Sequence, residues 1–167
     1  MQYAVGDKVV HARFGPGRIA GVEQQEMADG PRSYYIIEMV AKRLVVHVPV
    51  LKADEVDVRP AMPPSTLPQV LTALRSRPQR LPDDPKERQE QVDAQIRTGG
   101  VMQLAEVVRD LTWRSEGARL TKSDSDFLKQ GQELLAAEMA LVTGSNLSDS
   151  SKLIASTLAT AVGSAAN

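Results

Sequence analysis

The sequence predicts an α+β chain in which a small antiparallel β-barrel is followed by an all-helical bundle. Three observations carry this reading. Short stretches rich in β-branched and aromatic residues crowd the first 59 positions, prolines at 60, 63, 64 and 68 then interrupt the chain, and beyond them apolar residues recur at helical spacing. The organisation expected is a barrel domain over 1–60, a proline-containing connection with a first helix over 61–85, the remaining helices over 86–163 and a frayed tail over 164–167.

In the first half, Lys8-Val9-Val10-His11 reads as a strand that enters a turn at Phe14-Gly15-Pro16-Gly17, and the chain leaves through Arg18 to Val22. Glycine permits positive φ there and proline pre-sets the bend. Asp29-Gly30-Pro31 punctuates before a strand from Tyr34 to Val40. Arg43 to Val48 alternates, with Leu44, Val46 and Val48 on one face, and Val56 to Arg59 reads as a short closing strand. Such a barrel leaves edges that must be covered or used.

In the second half, Thr66 is placed to cap a helix in which Leu67, Val70, Leu71 and Leu74 share a face. Pro78, Pro82 and Pro85 keep 76–85 irregular. Lys86 to Thr98 reads as a polar helix anchored by Val92 and Ile96 and stopped at Gly99-Gly100. Met102 to Arg114 offers Leu104, Val107, Val108 and Leu111 to a core. Thr121-Lys122-Ser123-Asp124 resembles a capping box and opens a helix through Phe127, Leu128, Leu134, Leu135, Met139 and Val142. A last amphipathic stretch follows Ser148, with Leu153, Ile154, Thr157, Leu158 and Ala161 inward.

Composition narrows the function classes. With 20 basic and 21 acidic residues the formal net charge is −1, and neither half departs from balance: 8 basic and 8 acidic side chains over 1–59, then 12 and 13 over 60–167. Nucleic-acid binders normally carry a basic footprint, so any contact with DNA must be local or assisted by a partner. There is no cysteine, hence no disulfide or thiolate metal site. No apolar run approaches the ~20 residues that span a bilayer, and the N-terminus lacks signal-peptide character, so cytoplasm is the expected compartment. The histidines, His11 and His47, sit in expected strands without a carboxylate at useful spacing. Gly15-Pro16-Gly17 lacks the ending of a phosphate loop, Asp83-Asp84 reads as a solvated turn, and Asp124/Asp126 lack the glycine and glutamate of a calcium loop. Trp113 reads as a packing residue. The expectation is a protein without catalytic activity, cofactor, metal or small-molecule substrate.

A set of motifs in fixed order adds a specific resemblance. Val5-Gly6-Asp7-Lys8-Val9-Val10-His11 and Phe14-Gly15-Pro16-Gly17-Arg18-Ile19 are followed by Tyr34-Tyr35-Ile36, Val46-His47-Val48-Pro49 and Val56-Asp57-Val58-Arg59. Ala105-Glu106-Val107-Val108-Arg109-Asp110-Leu111, Leu120-Thr121 and Leu134-Leu135-Ala136-Ala137-Glu138 continue the series. Together, over roughly 3–142, they resemble the CarD/CdnL family of bacterial RNA polymerase-binding transcription regulators, whose N-terminal module also occurs in transcription-repair coupling factor.

The resemblance implies a Tudor-like barrel that docks on the lobe of the polymerase β subunit by strand addition at an edge. The matching positions are Gln25, Arg43, Val45, Val46, His47, Val48 and Pro49. Relatives can carry arginine where this chain has Gln25 and His47, so the electrostatic part of docking is weakened or re-tailored. The helical half is then expected on promoter DNA at the upstream edge of the bubble, with Pro85 at the position of a wedge tryptophan and Lys86, Arg88 and Arg114 as phosphate contacts. Arg75, Arg77 and Arg80 add charge on the approach, whereas Glu87 and Glu90 interrupt it. Tethering by the barrel gives weak, non-sequence-specific DNA contacts a high local concentration and so changes open-complex lifetime. That would make the protein cytoplasmic and nucleoid-associated through polymerase. The alternative is a polymerase-bound adaptor that has lost the DNA wedge and uses its helical half on another protein.

Overall fold

Strands β1 (Lys8–His11), β2 (Gly15–Met27), β3 (Gly30–Met39), β4 (Val45–Pro49) and β5 (Val58–Pro60) pair antiparallel in the spatial order β4-β3-β2-β1-β5. Five helices follow: α1 (Leu67–Arg75), α2 (Pro85–Thr98), α3 (Val101–Gly117), α4 (Lys122–Thr143) and α5 (Leu147–Ala165). This computed structural model describes residues 2–53, 55 and 58–165. The chain divides into two units, Met1–Ala61 and Met62–Asn167, and the α+β class with a Tudor-like N-terminal part and a helical C-terminal part is the one expected.

One core draws on all five strands of the first unit. Val9, Ile19, Tyr35, Ile37, Met39, Val48 and Val58 are buried together with Ala53, and Tyr3 and Phe14 pack against them. A sheet whose strands share a single cluster wraps around it, as a small barrel does, but the ladders leave β4 and β5 as its two ends among the described residues.

Several boundaries differ from the sequence reading. The first turn falls at 12–14, starting two residues earlier than expected, and Gly15-Pro16-Gly17 already belongs to β2, opposite His11, Val10 and Val9. The reason is His11, whose Nδ1 accepts hydrogen bonds from the backbone N–H groups of Arg13 (3.1 Å) and Phe14 (3.3 Å) and closes the turn itself. Gly17 is instead required by close strand approach: an added Cβ would lie 2.7 Å from the Glu38 carbonyl oxygen and 2.8 Å from Ile37 Cγ2. Strands β2 and β3 extend well beyond Val22 and before Tyr34, paired from Gly17↔Met39 to Met27↔Gly30 with a bulge between Ile19 and Gly21. Glu23 to Glu26 have little intrinsic strand preference, so cross-strand pairing sets their conformation. At the other end, β4 begins at Val45, because Leu44 N–H donates to Lys42 O (2.7 Å) and Leu44 O accepts from Met39 N–H (3.0 Å), folding Arg43 and Leu44 into the connection. Leu44 is consequently exposed rather than inward-facing. Of the expected closing strand, Val56 and Asp57 lie outside the described residues.

In the second unit α3 packs against each of the other four helices. Thr66 makes no cap; it ends a 3-10 turn (Pro64–Thr66) that runs directly into α1. Residues 62–85, which carry the proline-containing connection and the first helix, lie in the second unit. Asp84 caps α2 by accepting from Glu87 N–H, Pro85 occupies the first helical position, and Gly99, at φ +68°, ends the helix. Thr121 and Asp124 form the reciprocal capping box that the sequence indicated. Helix α5 absorbs Ser164 and Ala165 of the expected tail, and Ala166 and Asn167 lie outside the described residues. Leu81, Val92, Ile96, Leu104, Val107 and Leu111 form a core against which Phe127, Leu128 and Leu134 pack.

Because the Glu38 carbonyl cannot withdraw without breaking the β2–β3 ladder, Gly17→Ala is expected to destabilise the first unit by about 1–3 kcal/mol. Chemical denaturation followed by Tyr fluorescence measures it, with Gly21→Ala, where nothing lies within 4 Å of the added Cβ, as the mild comparison.

Candidate interaction surfaces

Five of the residues expected to meet a partner strand, Val45 to Pro49, form β4 at one end of the sheet. Strand β4 pairs on one side only among the described residues, with β3, in the register Tyr34↔Pro49 to Glu38↔Val45. Its pleat turns Val46 and Val48 inward, Val48 into the core, and leaves Val45 (51% exposed) and His47 outward. Gln25 lies near the C-terminal end of β2, close to the β2–β3 turn, and its Nε2 lies 3.4 Å from His47 Nδ1. The two polar positions, Gln25 and His47, are therefore neighbours. Arg43 is exposed in the loop preceding β4 rather than on the strand.

The residues expected on DNA divide into two groups. Pro85 and Lys86 are exposed in the first turn of α2, beside the exposed acidic residues Asp83, Asp84 and Glu87. Arg114, near the end of α3, is half-buried, and its Nε is buried without a hydrogen-bond partner. Arg88 does not fit the role expected of it. Its side chain is 2% exposed, Nε donates to Asp124 Oδ1 (2.9 Å) and Nη2 to Asp124 Oδ2 (3.0 Å). Nη1 donates to the carbonyls of Pro82 and Asp83, both at 3.1 Å. A guanidinium committed in this way has no face left for a phosphate.

The sequence contained the signal for this correction. Arg88, Val92 and Ile96 stand at i, i+4 and i+8, so the arginine shares the buried face of α2 with its two apolar anchors. Asp124 is less legible, since a capping residue is ordinarily exposed. Here it caps α4 and neutralises Arg88 at once. Burial acts to raise its pKa, but hydrogen bonds from Arg88 and from Thr121 outweigh this and hold the carboxyl below its ordinary value.

Two further buried acids were not singled out from the sequence. Arg109 Nε donates to Asp110 Oδ1 (2.8 Å), which also accepts from Gln79 N–H (3.0 Å), and Arg109 Nη1 reaches the Ala73 carbonyl. Glu138, fully buried, accepts from Met62 N–H at 2.8 Å. An Arg-Asp pair inside the apolar run of α3 was the available hint. Of the two histidines, His11 is packed against Phe14 and engaged in its turn, and His47 is exposed. Asp126 faces Lys122 rather than Asp124's partners. Among the described residues there is no cluster of three or more potential metal ligands, and no helix is long and apolar enough to cross a membrane.

Comparison with known families gives two matches that together span most of the chain. Residues 3–62 match the "CarD-like/TRCF RID domain" and residues 69–155 match "CarD, C-terminal domain". A Bacillus subtilis (strain 168) protein described as "Putative transcription factor YdeB" is 26% identical over 142 residues, covering 85% of this chain and 93% of its own length.

Two outcomes are expected. Arg88→Met leaves the Asp124 carboxylate buried without its partner and is predicted to cost about 3–5 kcal/mol, read from the unfolding transition by circular dichroism. As pH falls below about 4, the wild-type protein is predicted to lose the stability that Asp124 contributes, because its folded pKa lies below its unfolded one. That contribution is complete above the unfolded pKa and disappears as pH drops through the folded value. Stability measured from about pH 5 to about pH 2 therefore falls less steeply in Asp124→Asn, which starts from a lower level.

Proposed function

The chain belongs to the CarD family, and from that premise we propose that it is an accessory transcription regulator that docks on the lobe of the RNA polymerase β subunit through the β4 edge and modulates the promoter open complex. The family is of transcription-factor type rather than an enzyme family. The observation that carries the docking step is that β4 pairs on one side only among the described residues, so its other edge offers main-chain donors and acceptors to an added strand. Val45, Val46, His47, Val48 and Pro49 supply that strand, Gln25 supports His47, and Arg43 flanks it.

With Arg88 removed from the surface, DNA contact falls to Pro85, Lys86 and Arg114. These give a weak, sequence-independent attraction that matters only when docking holds the helical unit near the promoter. Pro85 offers an apolar wedge without the stacking plane of an indole. The adaptor alternative is favoured by a specific observation: the exposed start of α2 carries Asp83, Asp84, Glu87 and Glu90 against Lys86 and the Asp83-paired Arg80.

Calorimetric titration of the full chain against a bacterial polymerase β-subunit lobe tests the docking step. Saturable one-to-one binding that is lost in Val46→Pro is expected; a folded chain that gives no heat with the lobe overturns the proposal. Steep weakening of the promoter–polymerase–protein complex with salt, reduced by Lys86→Ala, is expected for DNA contact, whereas a flat salt response selects the adaptor.

A further inference from the structure

At the midpoint of β4 stands His47, with Gln25 of β2 against it, and neither is an arginine or a lysine, yet the edge is not without cations. At the C-terminal end of the strand lies a cavity of about 460 Å³. Pro31, Pro49, Val50 and Leu51 form its apolar wall, and Arg32 and Lys52 its polar one. Leu51 is 95% exposed, the most exposed large apolar side chain among the described residues. Among those residues no carboxylate lines the cavity. Arg32 shares its charge with Asp29 in the β2–β3 turn, and Lys52 has no ion-pair partner among the described residues.

We propose that this cavity carries the charge-selective part of docking, and that it receives a segment of the partner strand bearing an apolar side chain next to a carboxylate. The inference rests on the β4-edge reading above and deepens it. Pro49 is both the last residue of β4 and part of the cavity wall, so a strand added along the edge runs directly into the cavity. Register fixes the neighbours: Pro49 stands opposite Tyr34, placing Pro31 to Ser33 of β3 beside the turn Val50–Lys52 that follows. An apolar side chain lying on Leu51 removes both from water, and a carboxylate beside it meets Lys52 and the outer face of Arg32. The hollow at the opposite end of β4 does not offer this selection. It is lined by Glu38 as well as Lys42 and Arg43, so it presents both signs.

The test uses the full chain and the β-subunit lobe of a bacterial polymerase, with Leu51→Ser and Lys52→Glu made separately. Both sites are exposed, so thermal unfolding should match wild type. Leu51→Ser is expected to weaken binding about tenfold at every salt concentration. Lys52→Glu is expected to weaken it several-fold at low salt, with the difference closing at ~0.5 M as charges are screened. If both variants bind like wild type while Val46→Pro does not bind, the cavity has no part in docking and this inference alone falls. If wild type itself does not bind, the edge reading falls and takes the cavity with it.

Discussion

The helical unit is organised around an ion pair that has no access to water. Arg88 and Asp124 are joined through two hydrogen bonds, and neither side chain stops there. The arginine also holds the carbonyls of Pro82 and Asp83, and the aspartate also caps α4. Burying two charges is costly unless each is paired and its remaining hydrogen-bonding capacity is met. That condition is satisfied here by four bonds from one guanidinium. The pair thus fixes where α2 starts, where α4 starts and how the chain approaches them.

The same solution recurs along the proline-interrupted parts of this unit. Proline has no N–H, and an irregular segment cannot satisfy its own backbone groups through a ladder. Buried side chains supply the partners instead: Asp110 takes Gln79 N–H, Arg88 takes the carbonyls of Pro82 and Asp83, and Glu138 takes Met62 N–H. Charged residues of this unit therefore hold irregular backbone in place. This is also why a chain with nearly balanced charge shows so small a basic surface at the start of α2.

In the strand unit the constraint is different. Among the described residues five strands share one core, but the sheet ends at β4, and the pleat sends alternate residues of that strand to the core and to solvent. The inward side chains of Val46 and Val48 tie the strand to the core, whereas Val45, His47 and the cavity beyond Pro49 face solvent. On the docking edge proposed for β4, backbone recognition, which depends only on the strand being present, would be separate from side-chain selection, which can move along it. The Gln25–His47 contact and the Leu51/Lys52 cavity are two places where such selection can reside.

The α+β class, the strand-then-helix order, the capping box at Thr121 and most core faces were determined by the sequence alone, because period, proline and capping signals are local. The family motifs were legible for the same reason, being short runs in a fixed order. Only the tertiary structure decided what a local pattern cannot express. Strand pairing lengthened β2 and β3 through residues with no strand preference, His11 closed a turn assigned to glycines, and partner geometry placed Gln25 beside His47. Above all, Arg88 read as a surface cation within a charged run. Its spacing from Val92 and Ile96 put it on the buried face of α2, but whether a charge can remain there depends on a carboxylate from another helix. Asp124, 36 residues further along the chain, provides it.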